Sequence, residues 1–84
     1  MKTAVITGSS RGIGAAAATL FTQRGYGVVL NWNRSEERAM ELLRQLREEG
    51  GTAIAVGADV STQVGAETLI GAALDAFGHV DVLV

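Results

Sequence analysis

The sequence predicts an α/β fold: a doubly wound parallel sheet, βαβαβαβ, with strand order 3-2-1-4. Two patterns and one motif point to it. Short apolar runs alternate with longer stretches of helical periodicity along the whole chain, and the frequent glycines sit mostly at the junctions between them. The first junction is Thr7-Gly8-Ser9-Ser10-Arg11-Gly12-Ile13-Gly14, placed between an apolar run and an alanine-rich helical segment. Strands alternating with helices of this length imply right-handed crossovers and a parallel sheet. The first two helices are expected on one face and the third on the other, with ligand at the carboxyl ends of the strands.

Each element has its own justification. Lys2 to Thr7 is short, apolar and ended by Gly8, the mark of a fully buried strand. Ile13, Ala16, Ala17, Leu20 and Phe21 then recur at helical spacing and predict the buried face of the first helix, stopped by Gly25. Val28-Val29-Leu30 forms the second strand and runs out near Asn31-Trp32. After the loop Asn33-Arg34-Ser35, Ser35 is the expected N-cap of a second helix, with Glu36 and Glu37 well placed in its first turn. Ala39, Leu42, Leu43 and Leu46 make its apolar stripe, with Met40 at the core edge. Arg38, Glu41, Arg44, Arg47 and Glu48 make its solvated face. Gly50-Gly51 breaks it. Thr52 to Val56 is the third strand and Gly57-Ala58-Asp59-Val60 its exit loop. Ser61 or Thr62 caps a third helix that buries Leu69, Ala72, Ala73, Ala76 and Phe77 and ends at Gly78. Val80 to Val84 opens a fourth strand.

Composition narrows the function. At 84 residues the chain allows one small domain at most. Apolar residues at 48% and charged residues at 19% describe a globular chain. A net charge of −2 leaves no electrostatic footprint for nucleic acid or an anionic membrane. With no cysteine and one histidine, neither a disulfide framework, a Cys nucleophile nor a His-cluster metal site is available. No apolar run approaches the roughly 20 residues that span a bilayer. The strand at the start leaves no room for a signal peptide, so a cytoplasmic location is expected.

The opening junction carries the chemistry. Glycines let the chain turn sharply and let backbone N–H groups approach a ligand with no Cβ in the way. The new helix aims its unpaired N–H groups and the positive end of its dipole at the same spot. An anion such as a cofactor pyrophosphate fits there. An ordinary strand-to-helix turn is the competing reading, but a strand before and a helix after are the context such fingerprints require. The spacing differs from the common Gly-x-Gly-x-x-Gly, and no Gly-Lys-Ser/Thr makes it a P-loop.

Thr-Gly-Ser-Ser-Arg-Gly-Ile-Gly resembles the cofactor motif Thr-Gly-x-x-x-Gly-x-Gly of the short-chain dehydrogenase/reductase family, in particular the branch containing 3-oxoacyl-acyl-carrier-protein reductases. The resemblance runs through residues 1–84, which correspond to the N-terminal third of such proteins. It implies a Rossmann-like, NADP(H)-binding domain portion, from an oxidoreductase that moves a hydride between nicotinamide and a small-molecule ketone or alcohol. It further implies a homo-oligomeric complete enzyme. In the family's terms Gly8 makes the turn, Gly12 admits the pyrophosphate and Gly14 lets helix and sheet meet, while Ser10 and Ile13 supply hydrogen bonds. Ser9 and Ser10 can equally be solvated turn residues. Asp59-Val60 is similar to the family's adenine-contacting pair, although Asp59 also suits a turn or cap.

The end of the second strand decides the cofactor. NAD-binding chains typically hold the ribose diol with an acid about 20 residues beyond the glycines. Here the region reads Asn31-Trp32-Asn33-Arg34. No carboxylate stands there, and guanidinium groups such as those of Arg11 and Arg34 match a 2′-phosphate bidentately. The expected cofactor is NADP(H), with NAD(H) second; exposed loop arginines are the plainer alternative. Trp32 lies beside the pocket or at a surface edge, and His79 in a solvated connection. The family's catalytic Ser, its Tyr-x-x-x-Lys pair and its Asn-Asn-Ala-Gly segment have no counterpart. Tyr26 has Leu30 four positions on, and Lys2 is the sole lysine. No catalytic residue is therefore assigned, and a stand-alone, non-catalytic nucleotide-binding module is the alternative function. A methyltransferase using S-adenosylmethionine begins similarly, but Asn31 replaces the acid it usually needs.

Overall fold

The computed structural model describes residues 1–8 and 12–84. Its elements are β1 (Thr3–Ile6), α1 (Gly12–Gln23), β2 (Gly27–Trp32), α2 (Glu36–Glu48), β3 (Thr52–Gly57), α3 (Gln63–Phe77) and β4 (Val82–Leu83). The sheet runs β3-β2-β1-β4, parallel throughout, as the alternation of strands and helices demands. Val5 pairs with Val29 and Val29 with Ile54, so the three long strands are in level register.

Period-two alternation divides the core between two faces. Ala4, Ile6, Val28, Leu30 and Ala53 pack with Ala18 of α1 and Leu43 and Leu46 of α2. Val5 and Val29 pack on the other face with Leu69 and Ala73 of α3. Thr3 through Ile6 and Gly27 through Asn31 are all buried, which explains why these strands read as continuous runs rather than alternating ones.

Three details depart from the sequence expectation. On α1 the predicted stripe is only partly inward: Phe21 packs against the core and Ala17 is half-buried, but Ile13 is 88% exposed and Leu20 48%, Ala16 is exposed, and Ala18 is the residue that reaches full burial. A helix this rich in alanine is apolar nearly all round, so periodicity does not mark which side meets the sheet. Small residues face it because they let the helix approach closely. On α2, Ser35 occupies the N-cap position but its side chain caps nothing; only its carbonyl engages, accepting from Ala39 N–H at 3.1 Å. Arg47 is exposed as expected, and its Nε and an Nη also donate to Ala53 O at 3.1 and 2.9 Å. On α3, Ala76 is exposed, whereas Gly65 joins Leu69 and Ala73 in the buried stripe. Arg44 does lie on the solvated face of α2, bridging Glu41 and Glu48. Exposed pairs of this kind add little stability.

At the amino ends of the strands a carboxylate fastens β4 to β1. Asp81 Oδ2 accepts from Thr3 N–H at 2.8 Å and contacts His79 Nδ1 at 2.7 Å, while Asp81 N–H donates to Thr3 O at 2.9 Å. The Thr3 N–H, followed by His79, holds the Asp81 carboxyl below its ordinary value of 3.8. A carboxyl depressed in the folded state adds stability that is complete above its unfolded value and disappears as pH falls through the folded one. Thermal midpoints measured from neutral pH downward are therefore expected to fall once pH drops below about 4. Asp81→Asn should flatten part of that fall; an unchanged acid profile in this variant would contradict the clasp.

Candidate functional site

The carboxyl ends of β1, β2 and β3 carry the residues singled out by sequence. Gly8 and Gly12 have φ of 58° and 63°, left-handed values that L side chains rarely adopt. Among the described residues no atom lies within 4 Å of where a Cβ would stand on either, so these glycines serve backbone conformation. Gly12 is also the first residue of α1, whose first-turn N–H groups have no acceptor within the helix. Ile13 is exposed beside it and Gly14 is half-buried. Ser10 and Arg11 lie outside the described residues. The loop is moored from the other side by Thr7, whose N–H and Oγ1 donate to Val84 O at 2.9 and 2.8 Å.

Asn33 and Arg34 are exposed in the loop after β2, free to meet a ligand. Asn31 is not: it is 2% exposed, and its Nδ2 is aimed at the carbonyls of Ala58, Val56 and Trp32 at 3.1, 3.3 and 3.4 Å. The amide holds the exit of β3 against that of β2. A carboxylate at position 31 would face those carbonyls with no proton to give, so the residue acts as a clasp beneath the site, a role beside the ribose contact expected from the sequence. Sequence spacing alone does not distinguish the two, because both roles place a polar residue at the strand end.

Asp59 organises the loop after β3. Its Oδ1 accepts from Ser61 Oγ at 2.6 Å and Ser61 N–H at 3.0 Å. Those two bonds hold its carboxyl below the usual carboxylate range, and the charge of Arg34 from the neighbouring loop adds to the effect. Asp59 O accepts from Thr62 Oγ1 at 2.9 Å, and Thr62 Oγ1 in turn accepts from Gly65 N–H at 3.0 Å, capping α3. The turn-and-cap role of Asp59 is thus present in the structure. Val60, 39% exposed, lines an apolar cleft of about 370 Å³ with Thr7, Leu69, Ile70 and Leu83. That cleft lies at the carboxyl ends of β1 and β4, the switch point of the strand order.

Tyr26 packs edge-on against Phe21, ring centroids 4.8 Å apart, at the amino end of β2 and away from these loops. Among the described residues no cluster of acidic or histidine side chains could hold a metal ion, and no helix is long and apolar enough to cross a membrane.

The chain matches the family model described as short chain dehydrogenase over residues 2–84. It is 48% identical over 83 residues to 3beta-hydroxysteroid dehydrogenase 1 of Eggerthella lenta, covering 99% of this chain and 32% of that protein. It is also 48% identical over 86 residues to L-rhamnose 1-dehydrogenase (NAD(P)(+)) of Azotobacter vinelandii, covering 99% and 34%. Among solved structures, a dehydrogenase/reductase from Sinorhizobium meliloti superposes with a TM-score of 0.93 at 38% identity, over 98% of this chain and 32% of that one. A short-chain dehydrogenase/reductase of unknown function from Caenorhabditis elegans, solved with cofactor, gives 0.90 at 41%, over 98% and 31%. The chain belongs to the short-chain dehydrogenase family and spans about a third of the length of these relatives. Members of the family bind NAD(P)(H), which the loops at these strand ends suit.

Gly65 is a site residue that the sequence does not reveal. A Cβ there would stand 1.8 Å from Asp59 O, so the first turn of α3 sits directly on the Asp59 backbone. A glycine inside an apolar helical pattern gives no sign of this. Gly65→Ala is expected to lower stability by about 2 kcal/mol or more through overpacking. In a chain this small that is a drop of roughly 10 °C in the thermal midpoint. A midpoint equal to the parent's would show that the helix can slide off the loop without cost.

Proposed function

We propose that this chain is the NADP(H)-binding, N-terminal portion of a short-chain oxidoreductase that reduces a carbonyl group, with 3-oxoacyl compounds among the candidate substrates. The observation that carries the cofactor reading is the pairing of loops at one end of the sheet. Gly8 and Gly12, both at positive φ, lead from β1 into α1, and on the neighbouring strand an exposed Arg34 follows a strand end that lacks any carboxylate. In this reading the N–H groups around Gly8, Gly12, Ile13 and Gly14 hold the pyrophosphate, with Ser10 contributing its hydroxyl. Arg34 and Arg11 take the 2′-phosphate, and Asn33 borders it. Asp59 and Val60 flank the adenine, and Asn31 fixes the strand ends beneath.

Bound NADPH would supply the hydride; the residues of this chain bind and orient it. Tyr26 and Lys2, the chain's sole tyrosine and lysine, stand at the other end of the sheet, so no residue here is assigned to proton transfer. The name of one relative, 3beta-hydroxysteroid dehydrogenase 1, supports a secondary alcohol or its ketone as the reacting group. A cytoplasmic homo-oligomer is the form proposed for the whole enzyme.

The 2′-phosphate adds about two negative charges that NAD lacks. A charge-assisted hydrogen bond contributes roughly 1.5–3 kcal/mol, tenfold or more in affinity. Arg34→Ala is expected to weaken NADPH binding by about that factor while leaving NADH nearly unchanged. The check is a pair of dissociation constants at one fixed ionic strength, since the effect is partly screened. An NADPH/NADH ratio equal to the parent's would reduce Arg34 to an ordinary surface charge.

A further inference from the structure

Trp32 and Gly57 are the last residues of β2 and β3, and they are partners in the register. Val28 and Leu30 lie in the core beneath α1 and α2, and so does Ala53. Period two therefore puts Trp32 and Gly57 on that same face. A Cβ on Gly57 would stand 2.5 Å from Trp32 Cζ2, 2.7 Å from Cη2 and 2.9 Å from Cε2. The indole thus lies across the glycine. Gly57 is not among the glycines with positive φ, so it is there for space and not for conformation.

Trp32 Nε1 is sealed from solvent and has no acceptor among the described residues. A buried indole N–H ordinarily finds a partner. Among the described residues no hydrogen bond orients the ring, and its fit against Gly57 does so instead. The backbone around it is tied as well: Ala58 N–H donates to Trp32 O at 2.9 Å, and the Asn31 amide spans the same two strand ends. Arg34 follows two residues after Trp32, and Asp59 two residues after Gly57. Both loops leave the sheet just beyond the place where the indole meets the glycine.

We infer that Trp32, seated on Gly57, is a positioning residue that sets the spacing between the Asn33–Arg34 loop and the Asp59–Val60 loop and thereby fixes the site's preference for a 2′-phosphate. The inference rests on the NADP(H) reading above. A ligand that touches both loops responds to their spacing, whereas one without a 2′-phosphate has no need of Arg34. Trp32 is the sole tryptophan, so its emission reports on this contact alone.

The test is calorimetric titration of the chain with adenosine 2′,5′-bisphosphate and with adenosine 5′-monophosphate at one ionic strength, alongside Trp32 emission. The parent is expected to prefer the bisphosphate. Gly57→Ala should shift the emission and cut that preference about tenfold, as for one charge-assisted hydrogen bond, with little change toward the monophosphate. Trp32→Leu, checked by circular dichroism to be folded, should do the same to the preference, and Trp32→Phe should restore most of it. Should Gly57→Ala fail to fold, the two Trp32 variants decide. A parent that binds neither ligand, or binds both equally, overturns the NADP(H) reading and this inference with it. A parent that prefers the bisphosphate, with Trp32→Leu keeping the preference in full, overturns this inference and leaves the NADP(H) reading standing.

Discussion

Everything in this structure hangs on the double burial of β1. Thr3, Ala4, Val5 and Ile6 are all 0% exposed, with β2 and β4 bonded to either side and helices over both faces. A parallel strand in that position leaves no freedom of register: a slip by one residue would exchange Ile6 and Val5 between two different cores. Once β1 is fixed, the chain leaves the sheet at Thr7 and must turn at once into α1. The same constraint brings the exits of β2 and β3 to the same end, because the three strands run level. The candidate site is the consequence: three loops from separate parts of the sequence gathered at one edge, beside the helix N-terminus that begins at Gly12.

Close approach is the second theme. Gly57 accepts an indole and Gly65 a backbone carbonyl where no other residue fits. Ala18 of α1 and Ala73 of α3 reach full burial against the sheet. Small residues at these contacts let the layers settle within van der Waals reach, and interiors packed to that density transmit displacement rather than absorb it. Hence a change at Gly65 is felt at Asp59, and one at Gly57 at the neighbouring loops.

Much of this was legible in the sequence because local rules and global fold agree. Short apolar runs bounded by glycine gave the strands, the alternation with helices gave the order β3-β2-β1-β4, and Thr62 gave the cap of α3. What stayed hidden depends on contacts between segments distant in sequence. Asn31 reads from the sequence as a ligand contact alone, and its clasp on the carbonyls of Val56 and Ala58, more than twenty positions away, shows only in the structure. Gly57 and Gly65 look like loop and helix glycines until Trp32 and the Asp59 carbonyl are placed against them. The face of α1 was obscured for another reason: with alanine on most sides, the hydrophobic pattern has no direction, and Ile13 and Leu20 mark the outside. The choice between NADP(H) and NAD(H) rested on a missing acid and two arginines, of which the described residues include Arg34.

In the proposed function the loops at the carboxyl ends of β1, β2 and β3 form a nucleotide site. Selective 15N labelling of glycine tests it directly, because glycines mark both ends of the sheet. On titration with NADPH, the amide signals of Gly8, Gly12 and Gly14 are expected to move in a saturable way. Those of Gly25, Gly50, Gly51 and Gly78, at the opposite end, should stay in place. Movement confined to the second group, or no movement at millimolar NADPH, typical of no more than a few kcal/mol of binding, would contradict the account.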